Sequence, residues 1–219
     1  MKIKYQFYSI LLVSCLLFSI IPMNLSAQKL SATSLKLGFF NPKDATSGLI
    51  FGINHGYIID ETIDVGFSVD FFRKSYKKDT EIAKTVKAQD ITEVTKQRDM
   101  EFTTFILPLM ATANIRIPVS RISPIFMVVN GGLGWEMMFN TEHNYIQDKK
   151  ESRFYHGFGY TVNIGIMYQI GSRSAILGEL GYNGCKVSRN YDVEEGTPIW
   201  DEVNISGLIF KVGLRLGII

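Results

Sequence analysis

Ile63-Asp64-Val65-Gly66-Phe67-Ser68-Val69-Asp70-Phe71 alternates apolar residues with polar or small ones and does not break step. Successive side chains of a strand point to opposite faces, so this stretch reads as a strand with one apolar and one polar face. The same period recurs outward in both directions and predicts eight strands, at 34–40, 48–59, 62–76, 101–118, 122–139, 153–170, 175–187 and 204–218. Several are far longer than the five or six residues usual in soluble sheets. A tilted strand crossing a membrane takes about 9–11 residues, and overhang accounts for the remainder.

The connections alternate in length. Asp60-Glu61, Val119 to Arg121 and Gly171 to Ser174 read as tight turns, whereas 41–47, 77–100, 140–152 and 188–203 read as long loops. Short turns at one end and long loops at the other mark a membrane barrel with periplasmic termini. An even number of strands lets the last pair with the first, which removes every open edge. The fold class read from the sequence is therefore all-β: an eight-stranded antiparallel up-and-down transmembrane β-barrel with short periplasmic turns and long outer loops.

Charge placement separates this reading from a soluble barrel, which would carry its ions outside. Leu35, Leu37 and Phe39, Phe105, Leu107 and Leu109, Val162, Ile164 and Ile166, and Leu208 to Leu216 at every second position form bands free of charge. The opposite faces hold Lys36, Asp64, Asp70, Arg116, Glu136, Glu179, Lys211 and Arg215, with Asn114, Asn130, Thr161, Asn163 and Asn183 among them. These eight ionic residues are the expected lumen network, four cations to four anions. Sequestered ions require partners, and eight strands leave an interior that side chains fill, so a polar plug is expected rather than an open pore. Phe39, Phe71, Phe102, Phe105, Phe139 and Phe154 fall near the outer strand ends and Tyr57 and Tyr168 near the inner ends, as interfacial girdles require.

Residues 1–27 have the three parts of a secretory signal: Lys2 and Lys4, the apolar run Ile10 to Ile21, and Pro22 before Leu25-Ser26-Ala27. The expected division is a signal peptide over 1–27 and a barrel domain over 28–219, with Sec-type export. An uncleaved anchor and lipidation at Cys15 are the rivals, but Cys15 sits inside the apolar run instead of at its end. Removing the leader leaves 21 basic and 21 acidic residues, and a chain so balanced has no general grip on nucleic acid. Cys185 is then the lone thiol, unable to form an internal disulfide, and reads as a small buried residue.

Phe210, Val212, Leu214, Leu216 and Ile218 are similar to the C-terminal insertion signal of outer-membrane barrels, although the chain ends in Ile instead of an aromatic residue. With Leu37-Gly38-Phe39-Phe40-Asn41-Pro42 and Gly213-Leu214-Arg215-Leu216-Gly217 as opening and closing strands, residues 34–219 resemble the small outer-membrane β-barrels of the OmpA and OmpX kind. The resemblance implies residence in a bacterial outer membrane, contact with its lipid and lipopolysaccharide, and insertion by the barrel-assembly machinery through those last residues. It also implies a role in envelope integrity, adhesion or narrow solute passage.

Motifs for chemistry are sparse. His55 and His156 are each followed by glycine, and a lipid A deacylase would instead place a serine two residues from its histidine. His143 follows Glu142, too few ligands for a metal. No cofactor motif is present, and the reading is a non-enzymatic structural or surface-interaction barrel, with a narrow channel as the alternative and a lipid A-modifying enzyme as a third. Lys84 and Lys87, in a stretch of mixed charge from 77 to 100 that reads as a solvated loop, and Tyr191 and Trp200, in the acidic stretch 188–203, are the candidate outer contacts.

Overall fold

The computed structural model describes residues 31–84, 93–120, 122–145, 148–191 and 199–217, with the backbone alone at 78–84, 93–99, 190–191 and 199–200. The leader and Lys87 lie outside the described residues. Among the described residues nine strands follow one another: β1 (Ser31–Pro42), β2 (Gly48–Ile58), β3 (Ile63–Lys84), β4 (Glu93–Pro118), β5 (Ile125–Asn144), β6 (Lys149–Gly171), β7 (Ser174–Tyr191), β8 (Ile199–Asn204) and β9 (Gly207–Leu216). Each pairs antiparallel with its sequence neighbour except at the end, where β8 and β9 both lie along β7. They are two halves of one staggered strand. β9 also pairs with β1, Leu35 opposite Leu214, and closes the ring. The eight-membered closed barrel expected from the sequence is thus borne out.

The break that divides the last strand has a local cause. The Ile205 amide donates to the Cys185 carbonyl at 3.1 Å, while the Ser206 hydroxyl accepts from the Cys185 amide at 3.0 Å and donates to its carbonyl at 3.2 Å. Those bonds keep the backbone satisfied where the ladder slips and turn Ile205 fully inward.

Three of the predicted loops are corrected, since β5 and β6 also extend through most of 140–152, Thr141 opposite Ser152 and Asn144 opposite Lys149. Much of 77–100 is ladder, running out to Lys84 opposite Glu93. The register sets Lys77 opposite Glu101, Asp79 opposite Arg98, Glu81 opposite Lys96 and Lys84 opposite Glu93. Facing positions of opposite sign favour pairing, so the charge alternation read as a solvated loop is the pattern of a hairpin. In the same way β7 and β8 extend into 188–203 and place Tyr191 opposite Ile199. At the other end the turns are short, and Asp60 caps the β2–β3 turn. Its carboxylate accepts from the Thr62 hydroxyl at 2.7 Å and from the Thr62 and Ile63 amides at 2.6 and 2.9 Å, which holds it below the usual aspartate range.

The outside of the cylinder is apolar. Phe39, Leu49, Leu133, Phe158, Ile164, Ile166 and Leu208 each expose more than half of their surface, and a soluble monomer rarely shows a contiguous apolar patch beyond a few hundred Å². Cross-strand rows on β3 to β6 mark where this band stops. Arg73, Phe105, Phe139 and Phe154 face one another in register, the three phenylalanines in ring contact at 6.1 and 4.9 Å. The next outward-facing row toward the loops is Ser75, Thr103, Thr141 and Ser152, hydroxyl at every position. Aromatic rings below and hydroxyls above are the chemistry of a membrane–water interface.

Candidate functional site

The strand pleat sends all eight predicted ionic residues into the lumen, each less than a tenth exposed. Lys36 of β1 reaches across to Glu179 of β7 at 2.7 Å, and Lys211 of β9 reaches Asp70 of β3 at 2.6 Å. Glu179 and Lys211 are themselves opposite in register, yet each takes a partner from another strand, so the pairs tie non-adjacent walls together. The Lys211–Asp70 pair passes over Gly52, where a Cβ would stand 2.0 Å from the Asp70 oxygen. Only glycine leaves that passage open.

Asp64 is the hub. Arg215 donates to it at 2.7 Å, Arg116 approaches to 3.6 Å, and the Asn114 amide donates at 2.7 Å. Asp64, Asn114, Asn130 and Asn163 stand opposite one another on four consecutive strands. Their amides form a chain in which Asn163 donates to Asn130 at 2.9 Å, Asn130 to Asn114, and Asn114 to Asp64. Gly181 ends this row, because a Cβ there would collide with the Asn163 carbonyl oxygen.

Two expectations about the lumen are corrected. Charge balance does not become one-to-one pairing: Asp64 takes two guanidinium groups, while Glu136 accepts a single amide bond, from Asn183 at 3.1 Å, and meets no cation among the described residues. Nor is the filling polar throughout. Phe40, Ile50, Phe72, Ile106, Met138, Tyr155, Val187, Ile205 and Ile209 pack into one buried cluster across the outer half of the lumen, with Cys185 among them. A smaller group, Val128, Met167, Ala175 and Leu177, closes the periplasmic end. The signal lay in the doublets Phe39-Phe40 and Phe71-Phe72, whose even-numbered members share the parity of Lys36 and Asp70 and therefore face inward.

Such layering makes chemical sense. Buried ion pairs add little net stability against an apolar filling of equal volume, but they fix which walls meet. The apolar layer supplies the burial term, about 25 cal/mol per Å² removed from water. Between the charged groups two cavities of about 10 Å³ remain, one beside Lys36, Asn54 and Asp70, the other beside Arg116, Glu179 and Arg215. Each has room for about one water.

The histidines pack as structural or interfacial residues. His55 meets the Thr33 hydroxyl at 2.9 Å and the rings of Tyr57 and Phe67. His156 stacks on Trp135 at 5.3 Å, and His143 lies against Tyr145. Phe102, expected in the outer girdle, instead turns toward the barrel mouth. Phe210, Val212, Leu214 and Leu216 face outward along β9, and Ile218 lies outside the described residues. Of the expected outer contacts, the backbones of Lys84, Tyr191 and Trp200 sit in β3, β7 and β8.

The closed eight-stranded cylinder is similar in fold to the crystal structure of Neisserial surface protein A. That structure shares 14% identity at a TM-score of 0.53, with 85% of this chain and 96% of that chain covered. The fold is that of the small outer-membrane β-barrels. Lower-scoring likenesses include the Yersinia pestis attachment invasion locus protein Ail in complex with the heparin analogue sucrose octasulfate (12% identity, TM-score 0.49, 85% and 97% covered). A major outer membrane protein of Thermus thermophilus is another (11%, 0.49, 85% and 98%). No protein-family model matches the sequence, and no curated protein matches it.

Proposed function

We propose that this protein is a non-conducting, non-enzymatic barrel of a bacterial outer membrane, exported by a Sec-type route, whose filled lumen is a rigid support for contacts made at its outer rim. The observation that carries the reading is the apolar layer from Phe40 to Ile209, which seals the ionic zone from the loop side. A wet path through the barrel would need polar groups at every level, and this level offers a tyrosine and a thiol among aliphatic and phenyl groups. Lipid and lipopolysaccharide surround the apolar band, and Arg73, Lys77 and Lys150 stand on the outward face at or beyond the aromatic row, where lipid phosphates lie. Delivery to the assembly machinery falls to Phe210, Val212, Leu214, Leu216 and Ile218. The projecting strands that carry Lys84, Tyr191 and Trp200 offer surface contacts to a partner, and by sequence Lys87 is a further candidate contact. From Ser75 to Lys84 β3 rises about 3.3 Å per residue, roughly 30 Å beyond the hydroxyl row.

Planar-bilayer recording of the refolded barrel tests the closed lumen. Silence is expected, in the wild type and equally in Glu136→Gln. Discrete openings whose conductance changes with Glu136→Gln or Arg215→Gln would assign the ionic residues to a channel instead. Mass spectrometry of lipid A from overproducing cells is expected to show an unaltered acyl pattern, and a changed pattern would make the barrel an enzyme.

A further inference from the structure

Above the apolar layer the barrel opens into a cavity of about 220 Å³ between the β1–β2 loop and the inward faces of β3, β4 and β5. We propose that this mouth binds a single pyranose ring, the terminal sugar of a glycan. The inference rests on the outward-facing, closed reading of the barrel and names the ligand class of its rim.

The size comes first. Sites for drug-sized ligands run to about 300–1,000 Å³, so this cavity suits one small ring. Its wall has an aromatic side, because Tyr76 and Phe102 are cross-strand partners on the same face and both line the space. Aromatic faces of this kind accept the C–H side of a sugar.

The remaining wall offers donors and acceptors together. Lys74, its stem lying across Gly48 where a Cβ would sit 3.2 Å from the lysine Cδ, contributes an ammonium group. Asp44 contributes a carboxylate and is held in place: its own amide donates to the Asn204 carbonyl at 3.0 Å, and its Oδ2 accepts from the Asn204 amide at 2.9 Å. Thr104 adds a hydroxyl. Asn140, opposite Thr104 in register, has a buried Oδ1 with no hydrogen-bond donor among the described residues. Asn140 also lines the space.

Charge narrows the class further. A simple anion would meet Asp44, and a simple cation would meet Lys74. Vicinal hydroxyls donate to the carboxylate while accepting from the ammonium, and the ring carbons cover the aromatic pair. Both charges and the aromatic side are then used.

Saturation-transfer NMR on the full barrel folded in detergent provides the test, with methyl β-glucopyranoside and methyl β-galactopyranoside as probes and alanine and phenylalanine as zwitterionic competitors. Transfer to the pyranoside ring protons is expected. It should weaken about tenfold in both Tyr76→Ala and Ala45→Trp, the second filling the cavity, while heat-modifiable gel mobility confirms that each variant is folded. No transfer to either pyranoside, undiminished transfer in both variants, or preference for the amino acids would overturn the proposal. Bilayer silence would survive any of those results, so failure of the sugar site and failure of the closed lumen are distinguishable.

Discussion

Asp64→Asn is expected to cost the folded barrel about 3–5 kcal/mol, the penalty for removing one partner of a buried ion cluster. Asparagine matches aspartate in shape and keeps an acceptor for Asn114, so packing is undisturbed. The loss falls on Arg116 and Arg215, both almost fully buried and both left without their anion. The Nε of each already lacks a hydrogen-bond acceptor among the described residues, and Arg116 would keep only the long 3.5 Å bond from its Nη2 to the Asp60 carbonyl. Glu136→Gln is the matched control. It removes an equally buried carboxylate that touches no described cation, and glutamine retains an oxygen for the Asn183 amide. Its effect should stay below about 1 kcal/mol. Urea titration of each variant in lipid vesicles, read by gel mobility, gives the comparison. Equal losses from the two substitutions would mean that ion pairing does not organise the lumen.

Val162→Arg tests the opposite face. Val162 lies on β6 midway between the aromatic row at Phe154 and Tyr168 at the inner end, half exposed on the outer surface. An arginine at the bilayer midplane of a barrel costs about 2–4 kcal/mol, falling to about 0–1 near the interface. Ser152→Arg, on the same strand and face but in the hydroxyl row, should therefore be almost neutral. The same vesicle titration reads both. If the two arginines were equally harmless, the band from Leu133 to Ile166 would face water.

Closure of the ring was legible because period two carries two independent facts, which face is ionic and where the alternation stops. The pairing of those ions was not. Glu179 and Lys211 are neighbours in the ladder, and nothing in strand order tells that Glu179 would pair across β9 with Lys36, or Lys211 across β1 and β2 with Asp70. Pairing of that kind depends on which glycine leaves a gap, and Gly52 and Gly181 show their role only once the opposite wall is in place. The apolar layer was hidden for a simpler reason. At Phe39-Phe40 and Phe71-Phe72 both faces of the strand are aromatic, so alternation gives no contrast and the inward ring merges with the girdle. The mouth cavity draws on a loop and three strands far apart in sequence, and no local pattern announces it.

Trp135 is a native reporter of the central claim that apolar side chains wrap the cylinder while ions lie within. It is one of two tryptophans in the chain, it faces outward with 47% of its surface exposed, and it stacks on His156. In a Trp200→Phe barrel refolded into vesicles, bromine atoms on the lipid acyl chains should quench its fluorescence while iodide in the buffer leaves it unchanged. Quenching by iodide, with no response to the brominated chains, would contradict the account.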